Sequence, residues 1–260
     1  MIIKHSNIDY NLMLKALDDN GLDIFSNQTI AKLFELSTSD VQNYIETLTK
    51  NKIIIRLENG KFVRHNFRDK FVIGSFLVED GIIAYWSALN YYGLTERFPN
   101  TVFVQTTKKK SSKEIFGIKY QFVKLSQSKM CGMQSLGFGN HVFKITDVEK
   151  TILDCFDFPQ YSGDFADLIK AVEKAKMNEN KLIEYSKKMR NNACTKRLAY
   201  IIAATGKPKF EKFLNYAKSQ LTNTYDYFDV FGEKSGKYIS EWKLCYNYEE
   251  EINSIINTNY

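Results

Sequence analysis

The stretch from Ser26 to His65 constrains the fold more than any other part of the chain, because it predicts several elements in a fixed order. Residues 27–35 have the apolar spacing of a short helix, and residues 36–38 have the composition of a tight turn. A second helix is predicted from Ser39 to Lys50, where Ser39 and Gln42 stand at capping-box spacing. The first helix is expected to bury Ile30, Leu33 and Phe34, and the second Val41, Tyr44, Ile45 and Leu48.

A tight hairpin is predicted directly after the second helix. Asn59-Gly60 separates two apolar runs, residues 53–57 and 61–65, and Asn-Gly in this setting is the strongest short-range hairpin signal. Helix, turn, helix and hairpin, in that order, are typical of a winged helix-turn-helix, a module that reads DNA. The sequence therefore predicts a DNA-binding domain of this kind over residues 1–68.

The outward face of the second predicted helix carries polar side chains that suit the major groove. At 100° per residue, Ser39, Asn43, Glu46 and Lys50 lie opposite the buried stripe. Asn and Gln can each form two hydrogen bonds with adenine. The candidates for base reading are Ser39, Gln42, Asn43 and Thr47. A polar face of this kind is also typical of any solvated helix.

Positive charge is concentrated on the hairpin and on the segment that leaves it. Residues 50–70 contain seven basic and two acidic residues, whereas residues 1–49 contain three basic and seven acidic residues. A winged helix meets the phosphate backbone in this region. The candidates for phosphate contact are Lys50, Lys52, Arg56, Lys61, Arg64 and Arg68. Because residues 1–70 are close to neutral as a whole, a protein-interaction module that does not bind DNA remains an alternative.

The composition is that of a soluble protein, and we expect a cytoplasmic location. The chain has 260 residues, a formal net charge of +6 and 44 % hydrophobic residues, which is enough for a sizeable core. No apolar run is long enough to span a bilayer, and the start lacks the features of a signal peptide. The four cysteines and three histidines are widely spaced, which predicts free, buried thiols, no metal site and no cofactor.

Residues 69–260 are predicted to form a second, larger α+β domain. It contains a sheet over about 69–145, helices over about 146–220 and a closing strand-like segment over 225–250. The predicted strands are residues 101–106, 118–123, 134–138 and 141–145. The predicted helices are residues 80–92, 147–156, 164–176, 179–188, 195–204 and 208–220. Thr146 is expected to cap the second of these helices, in which Lys150 and Asp154 would form an ion pair worth a few tenths of a kcal/mol.

Two basic runs in the second domain predict a surface for a partner or for nucleic acid. Residues 108–113 form a lysine-rich loop between two predicted strands. Residues 181–212 contain nine basic residues and two acidic ones. The candidates in these runs are Lys108, Lys109, Lys110, Lys187, Lys188, Arg190, Lys196 and Arg197. A solvated loop or helix surface is the alternative interpretation for both runs.

Four segments of the second domain resemble the AbiEi family of type IV antitoxins, which belong to abortive-infection modules against phage. They are Tyr85 to Glu96, Ile145 to Cys155, Thr195 to Ile202 and Ser240 to Asn247. The second segment is similar to the family pattern Thr-Asp-x-Glu-Arg-Thr-Leu-x-Asp, with Lys150 where Arg is commoner.

The resemblance implies a toxin–antitoxin regulator that represses its own promoter. Its amino-terminal domain would bind inverted repeats in double-stranded DNA, with two copies meeting on one operator. Its carboxy-terminal domain would counter a cognate nucleotidyltransferase toxin, directly or indirectly.

Enzyme motifs are weak, and we predict no catalytic activity. A nucleotidyltransferase would need a Gly-Ser turn followed by paired metal-binding carboxylates, and no such pairing appears in the sequence. Glu241-Trp242-Lys243 has the Glu-x-Lys form of a nuclease metal site, but no Pro-Asp element precedes it. A metal-dependent nuclease therefore remains a minor alternative.

Overall fold

The computed structural model describes residues 10–98 and 100–257, and it has a mixed α+β architecture. His5 lies outside the described residues. So does the start of the chain, to which the prediction of no signal peptide refers. The first part of the chain, residues 10–64, is called the amino-terminal unit below. It contains α1 (Tyr10–Asp19), β1 (Ile24–Ser26), α2 (Asn27–Phe34), α3 (Thr38–Lys50), β2 (Ile54–Glu58) and β3 (Lys61–Arg64).

Capping side chains determine where α2 and α3 begin. Ser26 caps α2 and exchanges hydrogen bonds with Thr29 in a capping box. The cap of α3 is Ser37, whose hydroxyl accepts a hydrogen bond from the backbone N–H of Asp40. The predicted capping box of Ser39 and Gln42 is therefore wrong, because Ser39 already lies inside the helix.

The predicted apolar stripes are confirmed for α3 and only partly for α2. Val41, Tyr44, Ile45 and Leu48 are all buried. In α2 only Ile30 is buried, and Leu33 is 39 % exposed. Phe34 is half-buried and packs against Tyr44, with ring centroids 5.4 Å apart.

The hairpin that follows α3 is confirmed. β2 and β3 are antiparallel, and the pairing of Glu58 with Lys61 leaves Asn59-Gly60 as a two-residue loop. Gly60 has a φ of +72°, a conformation that favours glycine. β1 pairs with the other side of β3, which gives a three-stranded sheet in the order β1-β3-β2.

A six-stranded mixed sheet forms the centre of the remaining chain. Its strands are β4 (Ile82–Ile83), β5 (Thr101–Thr106), β6 (Lys113–Ile115), β7 (Ile118–Lys124), β8 (Met133–Leu136) and β9 (Phe143–Thr146). They lie in the order β6-β7-β5-β4-β9-β8. The four predicted strands are confirmed, as the parallel pair β5–β7 and the antiparallel pair β8–β9.

The helix predicted over residues 80–92 begins too early. Asp80 accepts hydrogen bonds from Thr106 and Thr107, and the next residues form the central strand β4. The helix itself, α5, spans Tyr85–Tyr91. A further helix, α4 (Lys70–Phe76), was not predicted.

The helical part follows β9, and its predicted helices are confirmed with shifts of a few residues at their ends. They are α6 (Val148–Asp157), α7 (Phe165–Lys174), α8 (Glu179–Met189), α9 (Asn192–Ala204) and α10 (Glu211–Ser219). The closing segment contains the small sheet β10 (Asp226–Tyr227), β11 (Lys237–Ile239) and β12 (Leu244–Tyr246), and then α11 (Ile252–Asn257).

Two expectations for α6 are wrong in detail. Asp147, and not Thr146, caps the helix by accepting a hydrogen bond from the backbone N–H of Lys150 at 3.0 Å. Lys150 and Asp154 do form an ion pair, but their side chains are 0 % and 1 % exposed. The small value that we expected applies to solvent-exposed pairs, so it does not apply here.

Apolar packing continues from the amino-terminal unit into the large sheet. Ile24, Leu57 and Val63 belong to one buried cluster with Val72 of α4 and Ile145 of β9. Asn140 also accepts hydrogen bonds from the backbone N–H groups of residues 23 and 24. The predicted boundary at residue 68 is therefore crossed by a shared core, and the boundary itself stays a prediction. Within the described residues, no helix is both long and apolar enough to cross a membrane.

Candidate nucleic-acid interface

The polar face of α3 is uncovered in the structure. Ser39, Gln42, Asn43, Glu46 and Lys50 are exposed, on the side opposite the buried stripe. Thr47 is half-buried, and its hydroxyl donates a hydrogen bond to the carbonyl oxygen of Asn43 at 2.9 Å. The outward direction predicted for this helix is therefore confirmed, and its amide and hydroxyl groups are accessible from solvent.

A groove of about 460 Å³ lies between the start of α2, the exposed face of α3 and the hairpin. Four amide side chains, one acid and one base contribute to its lining. They are Asn27, Gln28, Gln42, Asn59, Glu46 and Arg56. Amides can donate and accept at the same time, so this groove presents both hydrogen-bonding functions to a ligand.

Three of the four amides that line the groove were not predicted as site residues. Asn27 and Gln28 are at the start of α2, and Asn59 is in the turn of the hairpin. Their distance from α3 along the chain conceals their proximity to it. The sequence did give one signal, because all three are amides next to predicted element boundaries.

Two of the predicted hairpin cations, Lys61 and Arg64, contact other residues of the same chain. Lys61 Nζ lies 3.1 Å from Glu58 and donates to the carbonyl oxygen of Leu77 at 2.7 Å. Arg64 lies 3.1 Å from Asp18 of α1. Neither Lys61 nor Arg64 is among the residues that line the groove, in contrast to the expectation for a phosphate-binding hairpin.

The other predicted phosphate-contact residues are exposed. Arg56 sits on β2 with its guanidinium 5.6 Å from the centroid of the Phe62 ring. Lys50 and Lys52 are exposed at the end of α3. Arg68 is also exposed, and its guanidinium stacks over Phe116 at 3.9 Å.

The lysine-rich loop over residues 108–113 is attached to the hairpin. Lys110 lies 2.7 Å from Glu58, and Lys113 donates to the carbonyl oxygen of Leu57. Burial raises the pKa of Glu58, but hydrogen bonds from Lys110 and Lys61 more than offset this effect, so the pKa lies below its ordinary value. Lys108 and Lys109 remain exposed, next to the hairpin.

The second basic run divides into an exposed part and a buried part. Lys187, Lys188 and Arg190 are exposed at the end of α8, and Lys188 pairs with Glu184 at 2.6 Å. Lys196 and Arg197 are only 3 % and 8 % exposed. The prediction that Lys196 and Arg197 belong to an exposed basic face is therefore wrong.

The two buried cations bind the closing sheet. Lys196 lies 2.6 Å from Asp226 and donates to the carbonyl oxygens of Thr224 and Lys243. Arg197 donates from Nε to the carbonyl oxygen of Tyr227 at 2.8 Å, and burial lowers its pKa. The face of α9 that carries them packs against the β10–β12 sheet instead of solvent.

Glu241 and His141, two of the residues considered for metal chemistry, each contact a charged side chain. Glu241 pairs with Lys218 at 2.7 Å, and Trp242 is buried. His141 Nε2 lies 2.7 Å from Asp23, and His65 is exposed. In residues 10–98 and 100–257, no three His, Cys, Asp or Glu side chains are grouped as metal ligands would be. All four cysteines are free, three of them buried and Cys131 half-buried.

Comparison of the sequence with protein-family models and with curated proteins finds no match. Among solved structures, the fold is similar to that of the RV2827C protein from Mycobacterium tuberculosis, with a TM-score of 0.64. The two sequences are 13 % identical, and the match covers 93 % of this chain and 92 % of that protein. The mixed α+β architecture is thus shared over nearly the whole length of both chains.

Proposed function

We propose that the amino-terminal unit is a winged helix-turn-helix that binds double-stranded DNA through α3. The observation that carries this proposal is the uncovered polar face of α3 beside an amide-lined groove. Gln42 and Asn43 are the base-reading residues, with Ser39 and Thr47 at the margins of the contact. Lys50, Lys52, Arg56 and Arg68 supply the phosphate contacts, because these four residues are exposed.

The whole protein, in this proposal, is an autorepressor and antitoxin of a type IV toxin–antitoxin system that acts in abortive phage infection. Two copies bind inverted repeats in its own promoter, and the second domain antagonises a nucleotidyltransferase toxin. The four sequence segments that resemble the AbiEi family support this step. The exposed residues Lys108 and Lys109 would contact DNA that flanks the operator. The exposed residues Lys187, Lys188 and Arg190 are a candidate surface for the toxin or its nucleic-acid substrate.

A mobility-shift assay with the protein's own upstream region tests the DNA-binding step. We expect tighter binding to that duplex than to a scrambled duplex of equal composition, and weaker binding as salt increases. Asn43→Ala should weaken mainly the specific complex, whereas Arg56→Ala should weaken both complexes and reduce the salt dependence. Asn180→Ala, on the exposed surface of α8, is the matched control. Equal affinity of the wild type for both duplexes would contradict the proposal.

A second candidate function is a protein-interaction module. It is favoured by the ion pairs that Lys61 and Arg64 make with Glu58 and Asp18 of the same chain. These pairs leave the hairpin less cationic than expected. This candidate predicts no salt-dependent shift of any duplex, together with retention of the toxin on the immobilised chain.

The antitoxin step is best tested with the full chain, because the amino-terminal unit shares its core with the second domain. A variant with Gln42→Ala and Asn43→Ala should no longer repress its promoter. It should nevertheless restore growth when it is co-expressed with the cognate nucleotidyltransferase toxin that this proposal requires. Continued toxicity at equal levels of soluble antitoxin would argue against a separate antitoxin domain.

A further inference from the structure

Glu46 is an acid at the centre of the face of α3 that we propose to contact DNA. It is exposed and follows Asn43 by three residues and Gln42 by four, or roughly 4.5–6 Å along the helix axis. It also lines the groove that contains Gln42 and Arg56. In the part of the chain that the structure describes, the Glu46 carboxylate makes no ion pair or side-chain hydrogen bond.

This position has an unfavourable consequence for general DNA binding. A carboxylate accepts hydrogen bonds and cannot donate them, and it is repelled by phosphate oxygens. Docking α3 into a major groove would remove water from Glu46. The desolvated carboxylate would destabilise the complex unless the DNA offered a donor to it.

The major groove offers such a donor only at certain bases. Cytosine presents its N4 amino group there and adenine its N6 amino group, whereas guanine O6 and N7 and thymine O4 are acceptors. A glutamate that faces guanine or thymine therefore forms no hydrogen bond with the base, because both groups are acceptors.

We propose that Glu46 is a specificity-determining residue, which requires a base that presents an amino group in the major groove, cytosine foremost, at one position of each half-site. This inference rests on the proposed DNA-binding function of α3. Glu46 acts partly by exclusion, because it weakens every complex in which the base opposite it is guanine or thymine.

The test measures dissociation constants of the full-length protein for the bound upstream duplex and for duplexes with one base pair changed at a time. Three proteins are compared: the wild type, Glu46→Gln and Glu35→Gln. Glu35 is exposed in the turn between α2 and α3. The substitution Glu35→Gln therefore removes the same charge without changing the face of α3.

For the wild type, we expect one position per half-site where replacing cytosine or adenine by guanine or thymine weakens binding about tenfold or more. Glutamine can both donate and accept, so Glu46→Gln should reduce that discrimination to within about threefold, at this position only. It should also bind scrambled DNA more tightly than the wild type does. Glu35→Gln should keep the wild-type base preferences.

Two results would overturn the inference. If Glu46→Gln keeps the wild-type preference at every position, Glu46 does not read a base. If Glu35→Gln changes the preferences as much as Glu46→Gln does, the effect comes from general charge and not from position. A wild-type protein that does not distinguish its upstream duplex from scrambled DNA would instead contradict the proposed function itself.

Discussion

Lys150 donates a hydrogen bond to Asp154 one turn further along α6, and both side chains are enclosed in the protein. Gln105 of β5 donates to the second carboxylate oxygen of Asp154 at 2.7 Å. Burial raises the pKa of Asp154, and the Lys150 ammonium partly offsets this effect. The pair connects the large sheet to the helical part of the chain, so its integrity matters for how those two layers pack.

Replacing Lys150 by Met should destabilise the protein strongly. It would leave Asp154 buried without its cation, a change that typically costs about 3–5 kcal/mol. Denaturant unfolding followed by circular dichroism measures the loss. The double variant Lys150→Met/Asp154→Asn should recover most of it, because Asn can still accept from Gln105 while no charge is buried. A double variant as unstable as the single one would show that lost packing, and not the unpaired charge, causes the effect.

The Lys150→Met penalty should also depend on pH. The pKa of the Asp154 carboxyl group is raised in the folded state, so its protonation stabilises the folded protein. This contribution is fully present when the pH is below the pKa of the unfolded chain, near 3.8, and it is lost as pH rises through the folded pKa. Without Lys150 the folded pKa of Asp154 should rise further. We therefore expect a larger difference in unfolding free energy between wild type and variant at pH 7.5 than at pH 5, and the same difference at both would contradict this account.

Local patterns in the sequence predicted much of the amino-terminal unit. The stripe of α3 and the Asn59-Gly60 hairpin depend on neighbours within a few residues, and both are confirmed. The spacing of Lys150 and Asp154 was likewise visible. Their burial was not, because it depends on β5 and on other elements distant in the chain.

Basic runs were the least reliable predictor of the candidate site. Lys187 and Lys196 belong to the same basic run of the sequence, which gives no sign that one is exposed and the other buried. Lys196 is buried because α9 packs against the closing sheet. The groove beside α3 was missed for a related reason, since it joins side chains from three separate elements.

Ser37→Ala should destabilise α3, because it removes the hydroxyl that caps the helix. The expected loss is about 1 kcal/mol, measured by thermal or denaturant unfolding. Ser39→Ala is the comparison variant: the Ser39 hydroxyl is hydrogen-bonded to that of Ser37 at 2.9 Å, but its removal leaves the bond from the Asp40 N–H to Ser37 in place, so the free energy of unfolding should change by less than about 0.5 kcal/mol. A larger loss for Ser39→Ala than for Ser37→Ala would restore Ser39 as the cap.

Glu58→Gln should loosen the attachment between the hairpin and the lysine-rich loop. Glu58 accepts from both Lys61 and Lys110, and it is partly screened by solvent, so we expect a loss of only about 1 kcal/mol at pH 7. Because its folded pKa is lowered, its contribution is present above the unfolded value near 4.5 and is lost as pH falls through the folded pKa. The stability difference between wild type and variant should therefore shrink below pH 4.5, and a difference that grows there would contradict the assignment.

Lys196→Met should separate a structural role for this cation from a role in binding. The variant would leave the carbonyl oxygens of Thr224 and Lys243 without their donor and Asp226 without its cation. We expect a loss of about 2–4 kcal/mol in unfolding free energy, since buried polar groups would lose their partners. Lys187→Met, on the exposed end of α8, should change stability by less than about 0.5 kcal/mol. If Lys196→Met is as stable as Lys187→Met and instead weakens binding of DNA or of the toxin, Lys196 belongs to an accessible basic surface after all, and the closing sheet must move to expose it.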